Sequence, residues 1–443
     1  MSSQAYPLRR SGIYRNLPTF DPSIKNLTAV VCGATGISGF HAVRALLDSP
    51  DRWSTIYTVS RKPLSDAQLA FIPKDLHRRI KHVAVDFSAS HESLADTLRD
   101  SIPSVDYLFY YTYIQPPLES GESAMDPAVA QKLVDANVPV LGAFLGALET
   151  AELAPKRFLL QTGGKNYGAH MGRARTPLVE SDPQPRHLGP NFYYNLEDLV
   201  KSFCERHPGT GWNVIRPMGI VGSAESTWMN IFYSFGLYAA VQAHMGQPLK
   251  FGGDFASWLH ETDHSTARLT GYLSEWAVLE DSCANEDFNA HDGGAISWER
   301  FFHELARWFG ASGVVPPSED DAEYRETLKL PGGEKAPLGY GPPVRMRATY
   351  KLAEWAERKE VQTAWEEIRK ESKSLKPEAE IGPEVANGDY AYLSCGNVSM
   401  SKARRYGFSG FVDTLESVFE EYREMESFGL LPPMKVDAAR PLV

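Results

Sequence analysis

The sequence predicts an α/β fold in which helices cover both faces of a doubly wound parallel sheet, followed by a mainly helical C-terminal cap. Three observations predict this fold class. From Leu27 onward short apolar runs alternate with helical patterns, a glycine-rich loop joins the first run to the first helix, and the residues after about 223 are mostly helical in pattern. Strands that alternate with helices of this length indicate βαβ units and a parallel sheet.

The predicted elements follow one another regularly along the chain. Apolar runs bounded by turn residues predict strands at 27–33, 54–60, 82–88, 105–113, 157–164 and 212–220, with a further strand near 287–290 that joins the same sheet. Helical patterns predict helices at 37–47, 66–78, 91–99 and 126–149, and in the cap at 225–245, 263–280, 297–310, 348–373 and 413–427.

These elements divide the chain into three parts. Residues 1–26 are basic, contain prolines and show no period, so we expect an N-terminal arm there. Residues 27–222 are the predicted dinucleotide-binding domain, and residues 223–443 are the predicted substrate-binding cap. Within the cap, the stretch 315–347 is rich in Pro, Gly and acidic residues, which predicts a loop or lid.

The composition limits the partners. The chain has 443 residues with 45 Lys and Arg against 56 Asp and Glu, a formal net charge of −11. This balance argues against nucleic acids and anionic membrane surfaces, because clustered cations bind both of them. We therefore expect a small-molecule substrate, and the sequence leaves the oligomeric state open, with a homodimer as one arrangement.

The cysteines and the apolar stretches indicate the compartment. The four cysteines are far apart and form no C-x-x-C pair, so neither a disulfide framework nor a cysteine zinc site is expected. The N-terminus has no apolar segment of the signal-peptide kind, and the longest apolar stretch, 231–243, is too short to span a bilayer. We expect a cytoplasmic protein without a membrane anchor.

A glycine-rich loop is the first candidate site. The run GATGISG (33–39) follows an apolar strand and opens a helix. Glycine permits the tight turn and the close approach of the backbone to a pyrophosphate, and helix N–H groups bind the phosphate charge. The expected cofactor contacts are Gly33, Thr35, Gly36, Ile37 and Gly39. The alternative is a glycine-rich turn without a ligand.

The end of the second strand indicates which dinucleotide binds. An NAD site usually has Asp or Glu here to hold the ribose 2′-hydroxyl, but Ser60 is followed by Arg61 and Lys62. Two cations without a carboxylate favour NADP(H), and the alternative is that both side chains are merely solvated. Asp86 stands at an expected adenine contact or is the N-cap of the next helix. Thr112, at the end of the fourth strand, and Lys165, after the fifth, complete the expected cofactor set.

The run HETDH (260–264) matches the zinc-protease pattern H-E-x-x-H. Zinc binding needs both histidines on one face of an established helix. The preceding residues lack a helical period, and Asp263 is a predicted N-cap of a helix that begins at His264. The two histidines would then diverge, so we expect no metal.

Lysine and tyrosine form the last candidate site. TGGKNYG (162–168) ends the fifth strand and NFYYNLED (191–198) opens a helix. Short-chain dehydrogenases carry a lysine four residues after their active tyrosine, whereas Glu197 and Asp198 occupy those positions here. Lys165 instead lies where a parallel sheet presents ligands to its crevice. An ammonium ~4 Å from a phenolate, at an effective dielectric of ~20, attracts it by about 4 kcal/mol, enough to lower the pKa of a tyrosine from its usual ~10 toward the working range. The alternatives are a packing aromatic pair and a solvated lysine.

Together with GATGISG and the SRKP turn (60–63), these two segments resemble the progesterone 5β-reductase and iridoid synthase (PRISE) family of atypical extended short-chain dehydrogenases. That family carries T-G-x-K-H-Y-x-G and N-F-Y-Y-x-x-E-D. The similarity covers most of residues 27–425 and leaves out 1–26 and 315–347. It implies a Rossmann fold, Lys165 as the family's lysine, and the second tyrosine of the pair, Tyr194, as the catalytic one.

The resemblance also implies an activity, the reduction by NADPH of a C=C bond conjugated to a carbonyl group. Asn166 replaces the family's usual His, and Met218 stands where some members carry Asn, so we expect both to face the cavity and the substrate to differ. The expected apolar wall of the substrate pocket consists of Tyr113, Tyr167, Met218, Trp228 and Phe408, each of which could equally be core. Two other functions stay open at this point: carbonyl reduction or alcohol oxidation by the same pair, and a catalytically silent NADP-binding regulator.

Overall fold

A computed structural model describes residues 6–117, 129–225, 230–393 and 396–441. Its main sheet has seven strands, all paired in parallel. The strands are β1 (Leu27–Cys32), β2 (Trp53–Ser60), β3 (Ile80–Ala84), β4 (Tyr107–Tyr110), β5 (Arg157–Gln161), β6 (Gly211–Pro217) and β7 (Glu286–Ala290). Their order is β3-β2-β1-β4-β5-β6-β7. The order reverses between β1 and β4, so a crevice for a ligand opens there at the carboxyl ends of the strands.

Helices cover both faces of this sheet. Along β1, Val30 and Cys32 belong to one hydrophobic core while Ala29 and Val31 belong to the other, as the alternation of a strand requires. Three helices pack on the Val30 face: α2 (His91–Ser101), α3 (Ala130–Thr150) and α4 (Phe192–Arg206). On the Ala29 face lie α1 (Ile37–Leu47) and α6 (Ala267–Leu279), which pack against each other. The second half of the chain thus adds the strand β7 to the main sheet and the helix α6 to the layer that covers it.

The helix α3 is 21 residues long and, by length and composition alone, apolar enough to cross a membrane. Its apolar face packs between α2 and α4, where Leu141 and Phe144 are fully buried. Such a composition is what a core helix needs, so it is weak evidence for a membrane span.

The cap is built around four longer helices: α5 (Ile231–His244), α7 (Trp298–Phe309), α8 (Lys359–Glu371) and α9 (Thr414–Ser427). Shorter helices span Asp66–Leu69, Phe255–Leu259, Leu352–Ala356 and Ser401–Tyr406. In the N-terminal arm, the strands Arg9–Ser11 and Tyr14–Leu17 form a two-stranded sheet. Further two-stranded sheets pair Leu249–Lys250 with Val314–Val315, Glu261–Asp263 with Ala295–Ser297, and Ser265–Thr266 with Ile220–Val221. Aromatic side chains fill the interior of the cap. The ring centroids of Phe235 and Trp298, for example, lie 5.1 Å apart.

Four expectations are wrong in detail. The helix expected at 348–373 is two helices, Leu352–Ala356 and Lys359–Glu371, because the backbone of Arg358 between them is extended. The helix expected at 66–78 ends at Leu69, because Pro73 has no N–H to continue it, and a 3-10 turn (Lys74–Arg79) follows. The helix expected from 263 begins at Ala267, because the residues before it pair as strands. The stretch 315–347 is not a loop throughout, since Arg325–Leu330 and Val344–Ala348 form an antiparallel hairpin.

We call residues 325–348 the cap hairpin and residues 331–343 its tip. Pro and Gly residues make the turn at the tip, while the charged side chains of the two strands pair with each other, as Arg345 does with Glu326. The tip reaches back to the segment between β5 and α4, where Leu338 N donates to Arg173 O at 2.7 Å.

Candidate active site

The glycine-rich loop has the geometry of a phosphate cradle. Gly33 has a φ of +74°, and an ideal Cβ on it would lie 3.0 Å from Thr112 N. A Cβ on Gly39 would lie 2.2 Å from Gly33 O, inside van der Waals contact with backbone. Gly36 is the N-cap of α1 and brings no side chain to cap it. The first amides of the helix are therefore available to an anion.

Three polar side chains at the ends of β4 and β5 face the same crevice, and each has an oxygen atom that makes no hydrogen bond of normal geometry. Thr112 Oγ1, Thr162 Oγ1 and Gln161 Oε1 are buried and unpaired. The other end of the Gln161 amide donates to Ser38 Oγ on α1 at 2.7 Å. Buried polar atoms are normally paired, so these atoms and the cradle fit a polar cofactor that lies across β1, β4 and β5. Neither Gln161 nor Thr162 was predicted from the sequence as a cofactor contact. A polar residue that ends a buried strand is the signal that could have identified them.

The side chains expected at the ribose end are close to one another. Ser60 is buried and its Oγ donates to Lys62 O at 2.8 Å, while Arg61 and Lys62 are exposed. Asp86 is exposed, and hydrogen bonds from Ser88, with a smaller effect of Arg61, lower the pKa of its carboxyl. The alternative that Asp86 is an N-cap is wrong, because Ser90 caps α2. The remaining expected cofactor residues, Thr35 and Ile37, lie in the cradle itself.

Lys165 lies on a 3-10 turn (Gly164–Tyr167) directly after β5. Asn191, the N-cap of α4, donates from Nδ2 to Lys165 O at 2.7 Å and so ties this turn to the helix start. The side chain lines a small cleft together with Ala130, Leu133, His170, Pro190, Asn191 and Phe192. Burial lowers the pKa of Lys165 to about 8, and the ammonium form still predominates at neutral pH.

The two adjacent tyrosines of α4 occupy different surroundings. An ideal Cβ on Gly163 would lie 3.2 Å from Tyr193 Oη and 3.1 Å from Pro217 O, so the Tyr193 hydroxyl reaches the carboxyl ends of β5 and β6. The Tyr194 ring is 3% exposed and lies under the Arg186 guanidinium, 5.2 Å from its centroid. Burial raises the pKa of each tyrosine to about 12, so the expectation that the lysine lowers the pKa of its tyrosine is wrong. The structure therefore gives the crevice position to Tyr193, where the sequence analysis had put Tyr194.

A buried charge cluster lies behind the lysine turn. Glu197, 1% exposed, pairs with Arg216 Nη2 at 3.2 Å, and the same nitrogen lies 2.7 Å from Asp287 Oδ2. Asn166 lies against this pair. With its side-chain amide oriented so that the nitrogen faces Glu197, it donates to Glu197 Oε1 at 3.1 Å and its oxygen accepts from Arg216 Nε at 3.2 Å. Asn166 therefore does not face the cavity as expected. Glu197, at one of the positions where the lysine of short-chain dehydrogenases was sought, instead anchors the turn that carries Lys165.

The expected pocket residues separate into three groups. Tyr113 is partly exposed, and its ring centroid lies 5.8 Å from that of Phe192. An ideal Cβ on Gly164 would lie 2.6 Å from Met218 Sδ. Both residues therefore border the crevice. Tyr167 and Phe408 are core residues rather than pocket residues: the hydroxyl of Tyr167 donates to Asn289 Oδ1 at 2.5 Å, and Phe408 is 1% exposed against Trp276. Trp228 lies outside the described residues.

The HETDH run does not form a helix: Glu261–Asp263 are a strand, and the two histidines lie on either side of it. His264 is buried, its Nδ1 is 3.3 Å from Gly219 O, and its Nε2 is 3.2 Å from Thr262 Oγ1. The helix that follows has Thr266 as its N-cap, so the N-cap predicted at Asp263 is wrong. Among the described residues, no group of three or more His, Cys, Asp or Glu side chains is placed to hold a metal ion.

Comparison with known proteins agrees with this geometry. The profile of the PRISE-like Rossmann-fold domain matches residues 29–329. The chain belongs to the PRISE-like family. The crevice of this PRISE-like chain, with a glycine cradle at one end and a lysine and a tyrosine at the other, is that of a Rossmann-fold oxidoreductase of the short-chain dehydrogenase type.

Relatives match this PRISE-like protein over nearly its whole length. A short chain dehydrogenase of Penicillium aethiopicum is 27% identical over 415 residues, 91% of this chain and 99% of that protein. An (S)-8-oxocitronellyl enol synthase of Camptotheca acuminata is 26% identical and covers 91% of this chain and 93% of that protein. A 3-oxo-Delta(4,5)-steroid 5-beta-reductase of Arabidopsis thaliana is 25% identical over 415 residues, 91% of this chain and 93% of that protein.

Proposed function

We propose that this protein is an NADPH-dependent reductase of a C=C bond conjugated to a carbonyl group. The observation that carries the proposal is the Tyr193 hydroxyl beside Gly163 and Pro217, at the carboxyl end of the sheet that also carries the turn of Lys165. The relatives from Camptotheca acuminata and Arabidopsis thaliana, an enol synthase and a steroid 5-beta-reductase, support the same class of reaction.

NADPH, when bound, supplies a hydride to the β-carbon of the substrate. Negative charge then develops on the carbonyl oxygen, and the chain has to stabilise it. A hydrogen-bond donor aimed at this oxygen is worth most where water is excluded. We assign this donor to Tyr193, because its hydroxyl reaches the carboxyl ends of β5 and β6. Burial raises the pKa of this hydroxyl to about 12, so it carries its proton before the reaction.

Lys165 has a supporting part in this proposal. Its ammonium carries a positive charge into a partly buried site, where charges act more strongly than in water. The charge favours the enolate over the neutral ground state, which is the difference that lowers a barrier. The hydrogen bond from Asn191 and the cluster around Glu197 keep the lysine turn in place.

A panel of enones and of matching saturated ketones tests the proposal. Wild-type protein should consume NADPH with enones, and the product should be the saturated ketone. Consumption with the saturated ketones alone, giving alcohols, would favour carbonyl reduction. No consumption with any compound, despite NADPH binding, would favour the silent binding protein.

Cofactor preference is a separate expected result. Arg61 and Lys62 are exposed beside Ser60 with no acidic residue at the end of β2, so NADPH should bind more tightly than NADH. The Arg61→Ala variant should lose about 10- to 100-fold in NADPH affinity, since one charge-assisted hydrogen bond contributes about 1.5–3 kcal/mol. Nucleotide fluorescence measures both dissociation constants. The exposed Arg10→Ala on the N-terminal arm is the control, and equal affinities of wild type for the two nucleotides contradict the assignment.

The cytoplasmic location and the homodimer expected from the sequence stay predictions.

A further inference from the structure

A histidine beside Lys165 has no part in the reaction proposed above. His170 lies on a short 3-10 turn (Ala169–Met171) and lines the same cleft as Lys165, Asn191 and Phe192. It is 8% exposed, and its Nδ1 has no hydrogen-bond partner. An unpaired buried nitrogen costs about 1–3 kcal/mol, which a ligand that hydrogen-bonds to it restores.

The charge state of His170 is well defined. Burial, together with the nearby Lys165 charge, lowers the pKa of His170 to about 3. The imidazole is therefore neutral over the whole physiological range, with one nitrogen that donates and one that accepts. A hydroxyl group both donates and accepts, so it can pair with either tautomer.

Two glycines and the cap hairpin hold this histidine in place. Gly168 has a φ of +70°, and a Cβ on it would lie 2.9 Å from Pro337 Cγ. Gly172 has a φ of +146°, and a Cβ on it would lie 2.7 Å from Pro331 O. The turn between them is thus confined by the tip of the hairpin, which also bonds to Arg173 through Leu338. A confined polar group makes a specific contact at little entropic cost.

We propose that His170 determines specificity by hydrogen-bonding to a hydroxyl group of the substrate, distinct from the carbonyl that is activated. The inference rests on the proposed reductase function, since it assumes that the substrate lies in the crevice beside Lys165 and places only its hydroxyl group in this cleft, whose volume is about 10 Å³. It predicts that hydroxylated enones are better substrates than their unsubstituted counterparts.

The test compares 2-cyclohexen-1-one with its derivatives hydroxylated at carbon 4, 5 or 6. Wild type should turn over at least one hydroxylated isomer with a kcat/KM about tenfold above that of the parent, as one hydrogen bond to a neutral group allows. In His170→Phe this ratio should fall to about one, through a higher KM for the hydroxylated compound and not through a lower kcat. His170→Gln, which keeps a hydrogen-bonding group, should retain part of the preference.

A matched control is His303→Phe, because His303 is a largely exposed histidine on α7. It should behave as wild type, and thermal melts should show that all variants are folded. The same ratio in wild type and His170→Phe, or a wild type without preference for any isomer, overturns the proposal.

Failure of the reductase function is a different result. If wild type reduces only saturated ketones, the kcat/KM ratio of hydroxylated cyclohexanones to cyclohexanone is compared between wild type and His170→Phe in the same way. If it reduces neither, calorimetric titration of these ketones onto the protein with NADP⁺ decides, and equal affinities in wild type and His170→Phe overturn the role of His170.

Discussion

Replacing Tyr193 by Phe should slow enone reduction by about 10²–10³ in kcat, the usual effect of removing one donor to a developing oxyanion. The ring packs 4.3 Å from that of Phe192 and stays in place without its hydroxyl, so NADPH affinity and the melting temperature should change little. Steady-state kinetics with a substrate that wild type reduces, combined with nucleotide fluorescence, measures both effects.

The neighbouring tyrosine is the matched control. Tyr194 is on the same helix, and its buried ring is covered by the exposed Arg186 guanidinium. Tyr194→Phe removes a hydroxyl that makes no hydrogen bond of normal geometry, so the rate should stay within about twofold of wild type. A slow Tyr194→Phe with a normal Tyr193→Phe would return the role to Tyr194, as the family resemblance first implied.

Replacing Arg216 by Met should lower the free energy of unfolding by about 3 kcal/mol, the lower end of the range for breaking a buried ion pair, because it removes the guanidinium that two acids share. Glu197 is 1% exposed and Asp287 lies 2.7 Å from this guanidinium. Lys201, 3.5 Å from Glu197, and Lys402, 2.6 Å from Asp287, stay in place and limit the loss. Urea unfolding measures the change.

Two further variants separate this pair from ordinary surface charges. Arg186→Met breaks an exposed ion pair with Asp198 and should cost about 0–1 kcal/mol. Glu197→Gln combined with Arg216→Met should cost clearly less than the sum of the two single variants, because the unpaired acid is gone. A loss of under 1 kcal/mol in Arg216→Met would show that the cluster contributes little to stability.

Much of the framework was predictable because it depends on local sequence. The helix α1 spans the residues predicted for it, and its start follows from glycines that no other residue type could replace. The seventh strand joins the sheet where DFNA (287–290) was expected to place it. The cap hairpin was missed because its Pro and Gly residues lie in the tip and conceal the two strands on either side.

The sequence by itself determined the doubly wound sheet, the phosphate cradle and the presence of lysine and tyrosine near the crevice, since alternating apolar patterns and turn residues act within a few positions. Only the tertiary structure decided which tyrosine enters the crevice. Adjacent residues of a helix point about 100° apart, and the packing of α4 against the sheet selects Tyr193. The contacts of Asn166 with Arg216, and of the turn around His170 with the cap hairpin, likewise join segments far apart in the chain. Contacts over such separations depend on how whole elements pack, which no local pattern encodes.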